Sequence, residues 1–262
     1  MLHRNNMAGP SSLLFNKRLF GLLTVTMLSI SMAGCTSSSD GDDYCGVGTE
    51  WDDSSESCVV SQNPYSLYDG NSSMVTMEIV HADSIANATL TYSIVIELYH
   101  DAAPIHADNF RKHAEAGRYD NSTFHRIIDD FMIQGGDFEN NDGTGGYASQ
   151  WYGYCNGEAK SDSADCSSTT EFTIPDEADN GYTHLPCMLS MAKTANPNTG
   201  GSQFFIMPGD ITQHSWLDGV HTVFGKVISG CEHVTTLSEV ATESNDRPVV
   251  PVIIVSATVS DS

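Results

Sequence analysis

From 90 to 98 the chain alternates without a break, with Leu90, Tyr92, Ile94, Ile96 and Leu98 on one parity and Thr91, Ser93, Val95 and Glu97 on the other. Only an extended strand puts every second side chain on one face, so this segment reads as a half-buried strand. Residues 74–80 repeat the pattern, and 83–87 lie between the two as the turn of an antiparallel pair. Short apolar runs follow, separated by glycine-rich loops, at 131–134, 188–192, 204–207, 222–227 and 252–259. Two segments carry helical spacing instead. One starts near Pro104, with Ile105, Phe110 and Ala114 on roughly one face and Gly117 placed to cap its end. The other covers 231–240, with Val234, Leu237 and Val240. Many short strands with only two helices imply a mainly β fold, a barrel or sandwich closed by those helices, and 262 residues at 40% hydrophobic suffice for a core.

The first residues are of another kind. Lys17 and Arg18 precede an uncharged apolar run from 19 to 32, and Ala33-Gly34 leads into Cys35. This order reads as a bacterial secretory signal, since the run is shorter than the ~20 residues a spanning helix needs. Ala33-Gly34-Cys35 resembles a lipobox, which implies a lipidated Cys35 at the mature N-terminus. Met32 stands where leucine is usual, so an ordinary cleaved signal with a free Cys35 is the alternative. Thr36 after that cysteine suggests, by the same resemblance, the outer membrane facing the periplasm. The expected organisation is a signal over 1–34, an acidic tether over 35–44, a disulfide-closed module over 45–60 and a linker over 61–73. The main domain follows over 74–260, interrupted by an insertion at 147–170.

All 34 acidic residues lie beyond Cys35, against 8 basic ones there, a balance of −26. Nucleic acid and anionic lipid surfaces are poor partners for such a chain, and contact with a membrane is expected only through the anchor. Apart from Cys35 there are six cysteines, an even number in an exported chain. Spacing favours Cys45 with Cys58 and Cys155 with Cys166, each closing its own loop, which leaves Cys187 with Cys231. No close Cys/His set suggests a metal site, and the Asp- and Asn-rich stretch 137–146 has Gly143 misplaced for a calcium loop.

The chemistry is concentrated in Phe124-His125-Arg126-Ile127-Ile128-Asp129-Asp130-Phe131-Met132-Ile133-Gln134-Gly135-Gly136-Asp137. One arginine stands there among large apolar side chains, followed by an amide and two glycines. In order after it come Asn141-Asp142-Gly143-Thr144-Gly145-Gly146, Leu189-Ser190-Met191-Ala192, Ser202-Gln203-Phe204-Phe205-Ile206 and Trp216-Leu217-Asp218-Gly219-Val220-His221-Thr222-Val223-Phe224-Gly225. Together these segments resemble the cyclophilins, peptidyl-prolyl cis-trans isomerases. The resemblance covers roughly 74–259 and implies an eight-stranded antiparallel β-barrel capped by two α-helices.

It also implies roles. Arg126 would be the catalytic donor, and Phe131, Met132, Phe205 and Leu217 a proline pocket with His221 at its edge. Gln134, Gly143, Gln203 and the chain around Ala192 and Lys193 would hold the substrate, and Trp216 would border the cleft as in cyclophilins that bind cyclosporin. Proline-containing polypeptides are the implied partners of a monomeric chain that needs no cofactor. Two features depart from the family pattern. Lys193 stands where many eukaryotic members have asparagine, and the insertion 147–170 carries Trp151, Tyr152 and Tyr154. That insertion is either a stapled surface loop or an extension of the substrate groove. The second would suit a proline-peptide chaperone or scaffold in which catalysis is secondary.

Overall fold

The structure, a computed structural model, describes residues 49–52, 57–60, 65–70 and 72–261. The signal, Cys35, the tether and the proposed bond of Cys45 to Cys58 lie outside the described residues. Strands β1 (Thr49–Asp52) and β2 (Ser57–Val60) pair antiparallel as a separate hairpin.

The main sheet is built from β3 (Ser72–His81), β4 (Tyr92–Tyr99), β5 (Arg126–Ile128) and β6 (Met132–Gly135). The short strands β7 (Tyr154–Cys155), β8 (Glu158–Ala159) and β9 (Phe172–Thr173) form a separate small sheet. The main sheet resumes with β10 (Met188–Met191), β11 (Phe204–Ile206), β12 (Val223–Ser229) and β13 (Val252–Asp261). Its eight strands run in the order β13-β3-β4-β12-β10-β11-β6-β5, every pair antiparallel. The ring closes just before β5. Residues 121–124, leading into β5, lie against β13, with Asn121 N–H on Ile254 O at 2.7 Å, Phe124 N–H on Val252 O at 2.9 Å and Ile254 N–H on Ser122 O at 2.8 Å. That seam uses the edge groups an open sheet would leave exposed and closes the ring.

Alternation decides what lies inside. Ile127, Ile133, Leu189, Phe204 and Ile206 pack in the central core, whereas Met132, Met188, Phe205 and Met207, one position along the same strands, form a second cluster with Leu217 and Val223. A barrel with a filled interior can offer a binding surface only on its outside or at its ends, and this second cluster is such a surface.

Helix α1 (Pro104–Glu115) places Phe110 among Tyr119, Phe204 and Phe224, while α2 (Cys231–Ser238) buries Val234 and Leu237. The apolar spacing read from sequence described α1 only in part. Ile105 is half-buried, and the polar His106, Asn109 and His113 are fully enclosed. They are tolerated because several find partners: Asn109 donates to Gly201 O at 2.7 Å, and His106 Nδ1 lies 2.7 Å from Glu177. The strand expected from Leu90 starts at Tyr92 and leaves Leu90 exposed, and the second helix ends at Ser238, two residues before Val240. In the stretch expected as a linker, Tyr65 and Leu67 pack on the core and Tyr68 N–H donates to the buried Asp108 at 3.0 Å. Disulfides join Cys155 to Cys166 and Cys187 to Cys231, each with Cα atoms 5.8 Å apart.

Candidate active site

Strand register assembles the site. Arg126 pairs with Gln134, Gln134 with Phe205, and Phe205 with Ser190, so one row crosses four neighbouring strands on the barrel's outer face. The next row down adds Ile128 and Met132. Above them arches the 214–221 segment, whose short 3₁₀ turn Ser215–Leu217 drops Leu217 into the cluster and leaves Trp216 63% exposed at the rim. Phe131 leans on Trp216 and His214, with ring centroids 5.4 and 5.1 Å away.

Between row and arch lies a cavity of about 220 Å³ lined by Arg126, Phe131, Met132, Gln134, Ala192, Lys193, Phe205, Trp216, Leu217 and His221. Drug-sized sites run to ~300–1,000 Å³, so this one suits a single small ring. It gathers ten of the twelve residues singled out from sequence. Gly143 and Gln203 line a larger neighbouring cleft of about 490 Å³, joined to the first through Gln134, Ala192 and Lys193. Asn156, Thr170, Phe172 and Thr173 form part of its lining, so the insertion borders the groove. The insertion is also rooted in the fold: Tyr152 is fully buried and donates to Asp108 at 2.7 Å.

The polar groups are largely committed. Gln134 donates to Gln203 Oε1 at 3.0 Å, and Gln203 Nε2 donates to the carbonyls of Gly143 and Gly145 at 2.9 and 2.7 Å. The amide of Gln203 therefore fixes a loop, and the Ala192 N–H is held by Gln203 O at 3.0 Å. His221 Nδ1 lies 2.9 Å from Met191 O, and a carbonyl only accepts, so Nδ1 carries the proton. Burial lowers the pKa of His221, with Lys193 acting in the same sense against the Met191 carbonyl and Asp176. The ring is thus neutral at pH 7. Two cations line the cleft: Arg126, whose side chain is 40% exposed and paired with Asp246, and Lys193, whose side chain is 5% exposed and lies 3.5 Å from Asp176.

Two supports were not legible from sequence. Asp137, fully buried, accepts backbone N–H groups of Glu139, Asn140, Asp142, Gly143 and Gly145 at 2.9 to 3.2 Å. Burial alone would raise its pKa, but these hydrogen bonds outweigh it and lower the value. The Asp- and Asn-rich stretch is therefore wound around a carboxylate of its own. The second support is a relay: Asp218 Oδ1 lies 2.8 Å from His184 Nδ1, and His184 Nε2 lies 2.9 Å from Ser190 Oγ. Its connectivity is that of a nucleophile triad, but Ser190 and His184 are fully buried and the serine hydroxyl donates to Thr222 O at 2.8 Å. Its effect is mechanical, tying the arch to β10 beneath Phe205, whose ring stacks on His184 at 5.8 Å.

A filled antiparallel barrel with a ring-sized, largely apolar cleft on its outside, edged by Arg126 and Lys193, suits a small ring held by shape and electrostatics. The family description Cyclophilin type peptidyl-prolyl cis-trans isomerase/CLD matches residues 85–259. Over 177 residues the chain is 40% identical to Peptidyl-prolyl cis-trans isomerase-like 1 of Gibberella zeae, covering 67% of this chain and 94% of that one. Peptidyl-prolyl cis-trans isomerase ppi1 of Schizosaccharomyces pombe is also 40% identical over 177 residues, covering 66% of this chain and 98% of the relative. Peptidyl-prolyl cis-trans isomerase CYP71 of Arabidopsis thaliana is 38% identical over 194 residues, which are 74% of this chain and 26% of that one. The chain belongs to the cyclophilin-type peptidyl-prolyl cis-trans isomerases, and its activity is that family's rotation of X-Pro bonds. These relatives are fungal and plant proteins, so they carry no support for a bacterial exported form, which rests on the N-terminal residues alone.

Proposed function

We propose that Arg126 is the group that lowers the rotation barrier and that Phe131, Met132, Phe205 and Leu217, with His221 at the edge, hold the proline ring. Rotation of an X-Pro bond breaks amide resonance against ~18–20 kcal/mol, and the uncatalysed step takes tens to hundreds of seconds. Twisting returns the lone pair to the prolyl nitrogen. A fixed donor close to that nitrogen favours the twisted form over both planar forms, which is the differential binding catalysis needs. The observation carrying this reading is the cavity itself, apolar on every side except for Arg126, Gln134 and the edges offered by Lys193 and His221. Guanidinium suits the task because it stays charged and keeps a planar fork. Gln134, Gly143, Ala192, Lys193 and Gln203 border the path of the peptide main chain, and Trp216 provides the rim that a cyclosporin-type ligand would cover.

The test is isomerisation of an Ala-Pro peptide by the full chain and by Arg126→Ala. Loss of one preorganised donor costs roughly 100-fold in comparable sites, so kcat/KM should drop by about that factor with the thermal midpoint unchanged. Equal activity of the two proteins would remove Arg126 from the mechanism.

The cellular setting is part of the same proposal: an isomerase held on a lipid at Cys35, facing the periplasm and assisting the folding of envelope proteins. The basic pair, apolar run and Ala33-Gly34-Cys35 support it. Intact-mass measurement of the chain from a Gram-negative host should find Cys35 as a lipidated first residue. An unmodified Cys35, or an uncleaved chain, would refute the anchor. The proline-peptide chaperone reading draws on the insertion bordering the second cleft. It requires that Asn156→Ala with Thr170→Ala, which change the cleft lining and keep the buried Tyr152, weaken binding of an unfolded proline-rich client while Ala-Pro isomerisation persists.

A further inference from the structure

Arg126 does not hang free at the cleft edge. Its Nε donates to Asp246 Oδ2 at 3.3 Å, across 120 positions of sequence. Asp246 lies in a tight reversal, with Asp246 N–H on Glu243 O at 3.0 Å and Glu243 N–H on Arg247 O at 2.7 Å. Thr242 bridges Pro248, and Val249 N–H reaches Ala241 O at 2.9 Å, so the base of the reversal is paired as well. Asp246 itself has φ +66°, in the left-handed region that glycine, asparagine and aspartate tolerate. The reversal is docked on β5 by the same residue: Ile127 N–H donates to Asp246 O at 2.8 Å. The main chain of Asp246 thus holds the residue after Arg126, and its carboxylate holds Arg126.

We infer that Asp246 is a positioning residue for the isomerisation, fixing the Arg126 guanidinium through Nε so that its Nη groups remain for the twisting bond. This rests on the reading of Arg126 as the donor. An arginine reaching across open solvent has several rotatable bonds. Anchoring one nitrogen from a rigid reversal restricts the fork to the arc over Gln134 and Phe205, and that restriction matters most in the twisted state. Both side chains are about two-fifths exposed, so the expected effect is modest, about three- to fivefold.

The experiment compares the full chain, Asp246→Asn, Arg126→Ala and the double variant, using NMR exchange on an Ala-Pro peptide at saturating and sub-saturating concentrations. Asparagine keeps the left-handed backbone and the shape and removes the charge, and Asp246→Gly provides a second variant with the same backbone freedom. The expected result is a three- to fivefold lower kcat for Asp246→Asn and Asp246→Gly, unchanged KM, unchanged melting, and no further loss when Asp246→Asn is added to Arg126→Ala. Three results would overturn the inference: wild-type or higher kcat, an effect on KM alone, or the same fractional loss with Arg126 absent. Failure of the underlying reading is separate, since it would show as full activity of Arg126→Ala itself.

Discussion

Taking the pH from 7 to 4 is expected to cost the folded chain on the order of 5 kcal/mol, enough to bring a domain of ordinary stability close to unfolding. The cause is a set of enclosed histidines. Burial lowers His113 to about 3, with the Arg118 guanidinium acting in the same sense. Burial lowers His100 to about 4, assisted by Arg111 and opposed by Asp108 and Asp101. His125, His184 and His221 are lowered as well, each first by burial. Below the ordinary value of about 6.5 the unfolded chain binds protons at these positions and the folded chain does not, so stability is complete above that pH and falls as the pH drops.

For His113, fully enclosed, the slope is about 1.4 kcal/mol per pH unit across the window from 6.5 down to about 3. His100 lies closer to solvent and carboxylates, so its share is smaller. Below about 3.8 the lowered carboxylates, Asp137 and Asp218 among them, add to the loss as they take up protons. Acidification also relieves repulsion in this acidic chain, but that term is spread over the surface and screened by salt. Urea midpoints at pH 7, 5.5 and 4.5 in 0.15 M salt test the expectation. A midpoint that stays level across the three would contradict it.

Asp137→Asn is expected to destabilise the chain by about 3 kcal/mol or more and to reduce activity with it. The carboxylate satisfies five backbone donors. Asparagine halves the acceptor capacity and turns an NH₂ group toward N–H groups that cannot accept from it. The loop packs closely on that carboxylate, since a Cβ on Gly145 would meet Asp137 Oδ1 at 2.6 Å. As the loop shifts, the Gly143 and Gly145 carbonyls leave Gln203, and Gln203 then no longer orients Gln134. For a domain of this size the thermal midpoint should fall by roughly 6–12 °C. Glu139→Gln, which touches only the exposed bond to Gly146 N–H at 2.8 Å, should move it by less than about 2 °C. A midpoint for Asp137→Asn as close to wild type as that control would show that the loop is held by something else.

The apolar members of the site came from the sequence through the resemblance, and the strand period then accounts for where two of them lie. Met132 and Phe205 fall one position from core residues on their strands, and period two alone sends them to the other face. Ring residues such as Phe131 and Trp216 came only with the resemblance, since nothing local distinguishes them from core. The polar supports were hidden for a different reason. Asp137 could be seen but not its role, because an acidic loop can hold a cation or be held by its own amides, and burial separates the two. His184 and Asp218 are 34 positions apart, and Arg126 and Asp246 are 120 apart. No periodicity reaches over such distances.

The sequence by itself determined the alternation that makes strands, the two helices, the acidity, the cysteine arithmetic and the set of side chains that resemble an isomerase's cleft. These are consequences of neighbours within a few residues, where backbone geometry dictates which way each side chain turns. Only the tertiary structure decided that the seam between residues 121–124 and β13 closes the barrel, that Asp137 winds the glycine loop, and that Asp246 holds the arginine. Those are meetings of distant segments. They are set by how the whole chain resolves its buried polar groups, a condition that no local stretch of sequence contains.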